Sequence, residues 1–350
     1  MKKIQLSAAS ISENVKIIGE VLGGEHAVDC DEINLKLDKS SGAGNIKGIN
    51  FQNGLGLLNI HCKLTEDVQL IYTSAAEPPM RFIFCVQGRL KHAPITGEPP
   101  YSLEALKGSV TAGQAGKQQT LTLPAGISLT INILEIIRKE YVGKVDCDLK
   151  SLPGPLVRVF RNTANDPVFI YTGNYSLSIA ESIQEINYNN LTGLSRKAYL
   201  ESKALEIFSY QVQQYEDDLK AEPHRKIFRK ADAMIIAGAR DILLEKLTDP
   251  PTISELARQV GLNEQKLKKG FKLLFNTTIN KYLLHARMEH AKTLLAEGSK
   301  SIKEVVAASG FSNSGYFAAR FKEKFGVLPS EFLKALRQEK TPPKISVAVA

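Results

Sequence analysis

Two stretches of this chain repeat each other, and the repeat constrains the fold more than any other feature. "TISELARQVGLNEQKLKKGFKLLFN" (252–276) and "SIKEVVAASGFSNSGYFAARFKEKFG" (301–326) align Ile253 with Ile302, Glu255 with Glu304 and Gly261 with Gly310. After one extra residue in the second copy, Leu267, Phe271 and Phe275 fall over Phe317, Phe321 and Phe325. Each copy opens with a capping box, Thr252-x-x-Glu255 and Ser301-x-x-Glu304, whose hydroxyl and carboxylate satisfy the free N–H groups of a new helix. A glycine turn follows. Then comes a polar N-cap candidate, Asn263 in the first copy and Ser312 or Asn313 in the second, and a further amphipathic helix. Helix, glycine turn and helix is the helix-turn-helix pattern, whose second helix enters the major groove of DNA. One such pattern is weak evidence, because helical hairpins are common. Two in tandem, at about 252–275 and about 301–325, are much stronger.

Charge points the same way. Between Glu222 and Lys340 there are 22 Lys and Arg against 13 Asp and Glu, a net of +9 in a chain whose total is +8. Residues 1–221 hold 22 basic and 24 acidic side chains. A basic module beside a near-neutral one suggests a polyanion binder joined to something with a different partner. Between the copies, Thr277 to Glu297 lacks Gly and Pro, and Ile279, Leu283, Ala286, Ala291, Leu294 and Leu295 share helical spacing. The reading is a rigid connecting helix over about 278–297. Neighbouring major-groove segments on one DNA face lie about 34 Å apart, so two reading heads on one chain can bind as a monomer what a dimer binds as a pair.

The first ~150 residues read as β-rich, with several short strands pointing to a sandwich or barrel. "INLKLD", "GLGLLNIHCKL", "VQLIYTS", "RFIFCVQGRLKH", "QTLTLPAG" and "SLTINILEI" are apolar or alternating and are separated by turn residues. From Ser195 to Leu219 the stripe Leu200, Ala204, Ile207, Phe208, Val212, Tyr215 marks an amphipathic helix. A break follows around Pro223. No run of ~18 apolar residues is present, so no membrane span is expected. The opening residues lack the apolar segment of a signal peptide. Cys30, Cys62, Cys85 and Cys147 form no C-x-x-C pair, so reduced thiols in a cytoplasmic protein are expected rather than a zinc site or disulfide framework.

The last ~110 residues resemble the AraC/XylS family of bacterial transcription regulators. The resemblance is carried by "ISELARQVGLNEQKLKKGFK", by "YLLHARMEHAKTLL" with Arg287 and Ala291, and by "VVAASGFSNSGYFAARFKEKFGVLPSEF". More narrowly, "PPTISELARQVGLNEQKLKKGFK" and "YLESKALEIFSYQV" resemble the siderophore-responsive branch related to the pyochelin regulator. The resemblance implies an α+β chain of two domains. A β-rich jelly-roll or cupin-like effector domain (1–194) precedes an amphipathic helix and linker (195–222) for dimerisation or signal relay. An all-α DNA-binding domain (223–340) and a flexible tail (341–350) follow. It also implies double-stranded DNA and RNA polymerase as partners, a homodimer, and a small-molecule effector of which a ferric siderophore is one candidate; no cofactor is implied.

On the first recognition helix Leu267, Gly270, Phe271 and Leu274 share the inward face. Gly270 costs roughly 1 kcal/mol of helix propensity, which a close helix–helix contact would offset. By resemblance the base-reading positions are Gln265, Lys268 and Lys269. Gln suits adenine and Lys suits guanine, each at about 1–3 kcal/mol of discrimination. Lys266 and Lys272 suit phosphates. The second helix presents Ser314, Gly315, Ala318 and Ala319, side chains too short to reach far into a groove. With Ser312, Asn313, Ser314, Tyr316, Arg320 and Lys322 as contacts, it is expected to anchor phosphates and read shape, leaving the two half-sites unequal. Asn263 is a further expected contact at the start of the first helix.

The effector residues are less legible. Arg81, Arg89, Lys91 and His92 suit an anionic ligand or ferric chelate, but a solvated strand edge, which commonly carries such charges, is the favoured reading. His61, Cys62 and Glu66 lack the H-x-H pair of a metal-binding cupin, so no metal is expected. An enzyme fused to a DNA-binding domain would need an activated cysteine, a P-loop or a G-x-S-x-G motif, and none is present. A third reading keeps the DNA binding and gives the N-terminal domain a protein partner.

Overall fold

In the computed structural model the described residues are 1–7, 10–52, 54–73, 78–95, 99–149, 152–161, 169–220, 230–275 and 277–338. The break around Pro223 and the tail 341–350 lie outside them. The chain forms two units, Met1–Phe228 and Arg229–Ala350.

The first unit is a sandwich of two sheets with helices on one outer face. Its strands are β1 (Lys2–Ser7), β2 (Gly24–Asp29), β3 (Glu32–Leu37), β4 (Gly42–Asn50), β5 (Leu55–Leu64), β6 (Val68–Thr73), β7 (Met80–Gln87), β8 (Arg89–Ala93), β9 (Tyr101–Glu104), β10 (Lys107–Ala112), β11 (Gln118–Leu123), β12 (Ser128–Ile136) and β13 (Phe169–Tyr175). They assemble as a five-stranded sheet, β1-β6-β11-β8-β9, and an eight-stranded sheet, β13-β10-β7-β12-β5-β4-β3-β2. All pairings are antiparallel except β1 with β6.

Strand alternation builds the layers. Leu70, Leu90, Leu103 and Leu121 of the small sheet meet Ile60, Ile83, Ile131 and Ile133 of the large one in a single inner core. The other face of the large sheet carries Leu57, Phe82, Phe84, Val110 and Leu134. It is buried under α2 (Arg138–Leu149), α3 (Gly154–Arg161), α4 (Leu177–Tyr188) and α5 (Gly193–Lys220). Being covered on both sides, β5, β7 and β12 are buried over most of their length rather than at alternate positions.

The run "RFIFCVQGRLKH" is two strands, not one. It divides at Gly88, sending β7 into the large sheet and β8 into the small one. Strand β4, "GAGNIKGIN", carries little apolar signal, and α1 (Ile11–Leu22) lies against its Gly48. A Cβ at Gly48 would sit 2.7 Å from the side chains of Ile11 and Val15.

Helix α5 contains the predicted stripe. Leu200, Ala204, Ile207 and Tyr215 are buried in the outer core of this same unit. Its first turn is held by Arg196, which donates from Nε and Nη2 to Glu32 at 2.5 and 2.8 Å. Near its end Tyr171 donates to Asp218 at 2.5 Å. That carboxylate lies against a phenol already desolvated by burial, and both push the Tyr171 pKa far up.

Among the described residues the regular elements of the second unit are helices: α6 (Lys230–Glu245), α7 (Ile253–Gln259), α8 (Glu264–Phe275), α9 (Ile279–Glu297), α10 (Ile302–Ala308), α11 (Ser314–Phe325) and α12 (Pro329–Gln338). Both capping boxes are formed, Thr252 with Glu255 and Ser301 with Glu304. Gly261 and Gly310 adopt φ of 70° and 76°, the left-handed conformation that glycine takes without steric cost. Leu267 and Phe317 occupy equivalent buried positions, as do Phe271 and Phe321. Gly270 is buried on the inward face with them. The repeat is therefore structural as well as sequential.

Candidate functional site

The candidate nucleic-acid interface follows from the two caps. Asn263 accepts from the Lys266 N–H at 2.8 Å and Asn313 accepts from the Tyr316 N–H at 2.8 Å. Asn313 rather than Ser312 is thus the second cap. Each cap fixes the first turn of its helix, and the apolar positions that follow fix its rotation. On α8 this leaves Gln265, Lys266, Lys268, Lys269 and Lys272 exposed, and on α11 Ser314, Gly315, Tyr316, Ala319 and Lys322.

The exposed cations are not equivalent. Lys266 reaches Asp232 on α6 at 2.7 Å, and that carboxylate is largely buried. Its ammonium therefore braces α8 against α6. Lys268 pairs with Glu264 at 2.8 Å along its own helix, an exposed contact of small energy. Lys269 and Lys272 have no acidic partner within 4.0 Å among the described residues, so α8 presents them together with Gln265. On α11, Arg320 pairs with Glu323 at 2.5 Å and lies over the Tyr316 ring at 5.2 Å. Lys322 has no acidic partner among the described residues. Ser312, Asn313 and Tyr316 also line an open cleft of about 420 Å³ with Asn280, Lys281 and Arg287 of α9. Asn280 and Lys281 do not stand out in the sequence. Their signal, an amide and an ammonium in the first turn after the Thr278 cap, is ordinary for any helix start.

The four candidate effector residues do not converge. Strand alternation turns Arg89 and Lys91 outward, while His92 points into the sandwich and is fully buried. Arg81 is buried too, on the inner face of β7, and neither β7 nor β8 is a sheet edge. The set is therefore split: Arg89 and Lys91 face solvent on a strand that is not an edge, and Arg81 and His92 share the interior. Arg81 instead donates from Nε to Glu135 at 2.6 Å and from Nη1 to Gln119, with its guanidinium 3.9 Å from the Tyr72 ring centroid. Gln119 donates to Thr111 at 3.0 Å.

Alongside, the Tyr101 hydroxyl is 2.7 Å from His92 Nδ1 and 2.6 Å from Ser109 Oγ, and it also bonds Thr172. Burial, and then the Arg81 charge, push His92 down to about 3, so the imidazole is neutral at ordinary pH. Burial pushes Tyr101 up to about 12. Tyr72 OH, Arg81 Nη2 and His92 Nε2 are buried with no hydrogen-bond partner among the described residues. Such orphaned atoms carry a desolvation cost unless a water or ligand meets them. Sequence could place Arg81 and His92 on strands but not Gln119, Glu135 and Tyr72 around them. Those three come from three other strands, β11, β12 and β6.

His61 bonds Thr130 at 2.9 Å, and Cys62 turns into the core, where burial raises its thiol to about 12. Among the described residues no three His, Cys, Asp or Glu side chains group as metal ligands. No helix among them is long and apolar enough to cross a membrane.

Comparison with known proteins agrees with this architecture. A helix-turn-helix domain model matches residues 256–335. The model of the regulatory protein PchR N-terminal domain matches 43–227, more than half of the chain. The chain belongs to the AraC-type transcription regulators. Within them it has the N-terminal domain of the PchR kind. Regulatory protein PchR of Pseudomonas aeruginosa is 25% identical over 241 residues, covering 69% of this chain and 77% of that protein. An uncharacterized HTH-type transcriptional regulator in the cgkA 5' region of Pseudoalteromonas carrageenovora is 40% identical over 80 residues, 23% of this chain and 47% of that one. This chain thus spans about half the length of that relative. The crystal structure of apo ToxT K231A from Vibrio cholerae matches over 82% of this chain and 98% of its own, at 18% identity and a TM-score of 0.33.

Proposed function

We propose that this protein regulates transcription as a bipartite reader of duplex DNA. Helix α8 makes the base contacts, through Gln265 and Lys269, and α11 holds the backbone. The observation that carries this is the pair of equivalent caps and buried aromatic positions presenting unlike surfaces. One is long, cationic and without acidic partners at Lys269 and Lys272 among the described residues; the other is short-chained at Ser314, Gly315 and Ala319. Lys272, Lys322, Ser314, Tyr316 and Arg320 contact phosphates, and Lys268 joins them when Glu264 releases it. Lys266 contributes by fixing α8. Regulation rather than catalysis is supported by the two matched domain models. RNA polymerase as a partner and a homodimer are carried over from the resemblance, and a cytoplasmic location from the cysteine usage.

Selection from a randomised duplex library, followed by affinity for every single-base change, tests the division of labour. Base changes under α8 should cost about 1–3 kcal/mol each, and those under α11 markedly less. Equal losses in both halves would refute it.

For the N-terminal unit we infer a small effector acting at the Arg81–His92 cluster, supported by its three buried polar atoms that have no hydrogen-bond partner among the described residues. Strand β13 gives that cluster a route to α5. Thr172 faces Tyr101 on the inside, and its neighbour Tyr171 bonds Asp218 on the outside. A ferric siderophore is the effector class the resemblance suggests, although Arg81, Gln119 and Glu135 already fill this space. Thermal shift of the full chain against ferric siderophores and small carboxylates, repeated with Tyr72→Phe, tests the location. Stabilisation by a compound that Tyr72→Phe leaves unchanged would move the site elsewhere. No stabilisation by any compound favours a protein partner.

A further inference from the structure

Two reading helices on one chain can recognise two half-sites only if something fixes the angle between them. Each module packs on α9, and one α9 side chain touches both. Arg287 donates from Nε to the Leu247 carbonyl at 2.7 Å and from Nη2 to the Thr248 carbonyl at 3.3 Å. Those carbonyls belong to the bend between α6 and α7, the entrance to the first module. They lie just beyond the carbonyl end of α6, where a cation is favoured. The same guanidinium lies 5.6 Å from the ring centroid of Phe311, in the turn of the second module. Phe311 in turn packs on Phe317 of α11, with ring centroids 5.3 Å apart.

Gly310 closes this junction. A Cβ there would fall 2.8 Å from Arg287 Nη2 and 2.8 Å from the Leu247 carbonyl oxygen, at a φ of 76°. The backbones of the two modules therefore meet with a guanidinium between them. At the equivalent glycine of the first repeat, Gly261, an added Cβ would meet nothing within 4 Å. The two turns share a conformation, and only the second has been built into a contact. Helical patterning would place Arg287 on the flank of α9, and it is part-buried there.

We propose that Arg287 is a positioning residue that sets the angle between α8 and α11, and through it the half-site spacing the protein accepts. Its planar fork reaches two carbonyls while its face stacks on Phe311, a combination a lysine ammonium cannot reproduce. Rotating one module against the other breaks either the hydrogen bonds or the stack. Arg287 itself need not touch DNA. The proposal rests on the bipartite reading above, and the test separates the two.

The experiment is selection of binding sites by full-length protein from a duplex library with randomised half-sites and randomised spacing. Wild type, Arg287→Gln, Arg287→Lys and Phe311→Leu are compared, with affinities for the selected full site and for a single half-site. Wild type should select one spacing. Arg287→Gln should keep the base preference under α8 yet accept spacings at least one base pair either side, with its full-site advantage over a half-site reduced about tenfold. Arg287→Lys and Phe311→Leu should fall between. A merely structural role predicts something else: an unchanged, sharp spacing with equal proportional losses on full and half sites, and that result overturns the proposal. If Arg287→Gln does not fold, Phe311→Leu, which keeps an apolar side chain in the core, decides alone. A wild type that selects a lone half-site would sink the bipartite reading and this proposal with it, whereas a sharp wild-type spacing retained by every variant would sink only this proposal.

Discussion

Arg81 in the first unit and Lys269 in the second are both, by sequence, candidate ligand-facing cations, and the fold treats them in opposite ways. Arg81 is 2% exposed and held by Glu135, Gln119 and the Tyr72 ring. Lys269 stands in solvent with no acidic partner among the described residues. The difference is one of secondary structure. A strand between two layers has no outer face in water, so a charge on it must be neutralised inside. A helix with one apolar stripe leaves most of its circumference free. A cation in a sandwich is therefore evidence about the interior, and a cation on a reading helix is evidence about a partner.

The sharpest break of that contrast is Arg81→Ala. It leaves Glu135 buried without its partner and should destabilise the first unit by about 3–5 kcal/mol, seen as early loss of its transition in thermal or urea unfolding. A loss below about 1 kcal/mol, the range of a solvated pair, would mean the interior is wet. Next in size, Lys269→Ala should cost about 1–3 kcal/mol of discrimination at one base pair and leave unfolding unchanged. Lys272→Ala should instead weaken all sequences alike and lower the salt slope by about 1.

A pH series tests the interior directly. The folded-state pKa of His92 lies at about 3, below the unfolded value near 6.5, so below pH 6.5 the unfolded chain binds the extra proton. Stability should fall by up to about 1.4 kcal/mol per pH unit as pH drops through that window, and His92→Gln should flatten the slope measured by denaturation. The smallest effect is expected at Lys266. Lys266→Met should cost ~1 kcal/mol or less of stability through Asp232 and leave base preference intact. A change in base preference would return Lys266 to the DNA surface.

Much of the second unit is legible because its signals are local. A capping box, a turn glycine and an apolar stripe each act within a few residues. The tandem copy supplies an internal control, so the cap at Asn263, the candidate pair at Ser312 and Asn313, and the exposure of Gln265 and Lys269 can be read in advance. The first unit is legible only as β-rich. Its sheet membership depends on pairs such as Asn59 with Asn132 and Ile60 with Ile131, which lie far apart along the chain. Nothing local says that a run dividing at Gly88 sends its halves to different sheets.

The sequence by itself determined the class of protein: two helix-turn-helix copies in a basic segment following a β-rich one. Local propensity and short-range capping suffice for that. Only the tertiary structure decided which charged groups are available. Lys266 is held by Asp232 across 34 residues, Arg81 by Glu135 across 54, and Arg287 by Leu247 across 40. Ion pairs and carbonyl contacts at such separations form only when packing brings the chain back on itself, and no periodicity records them.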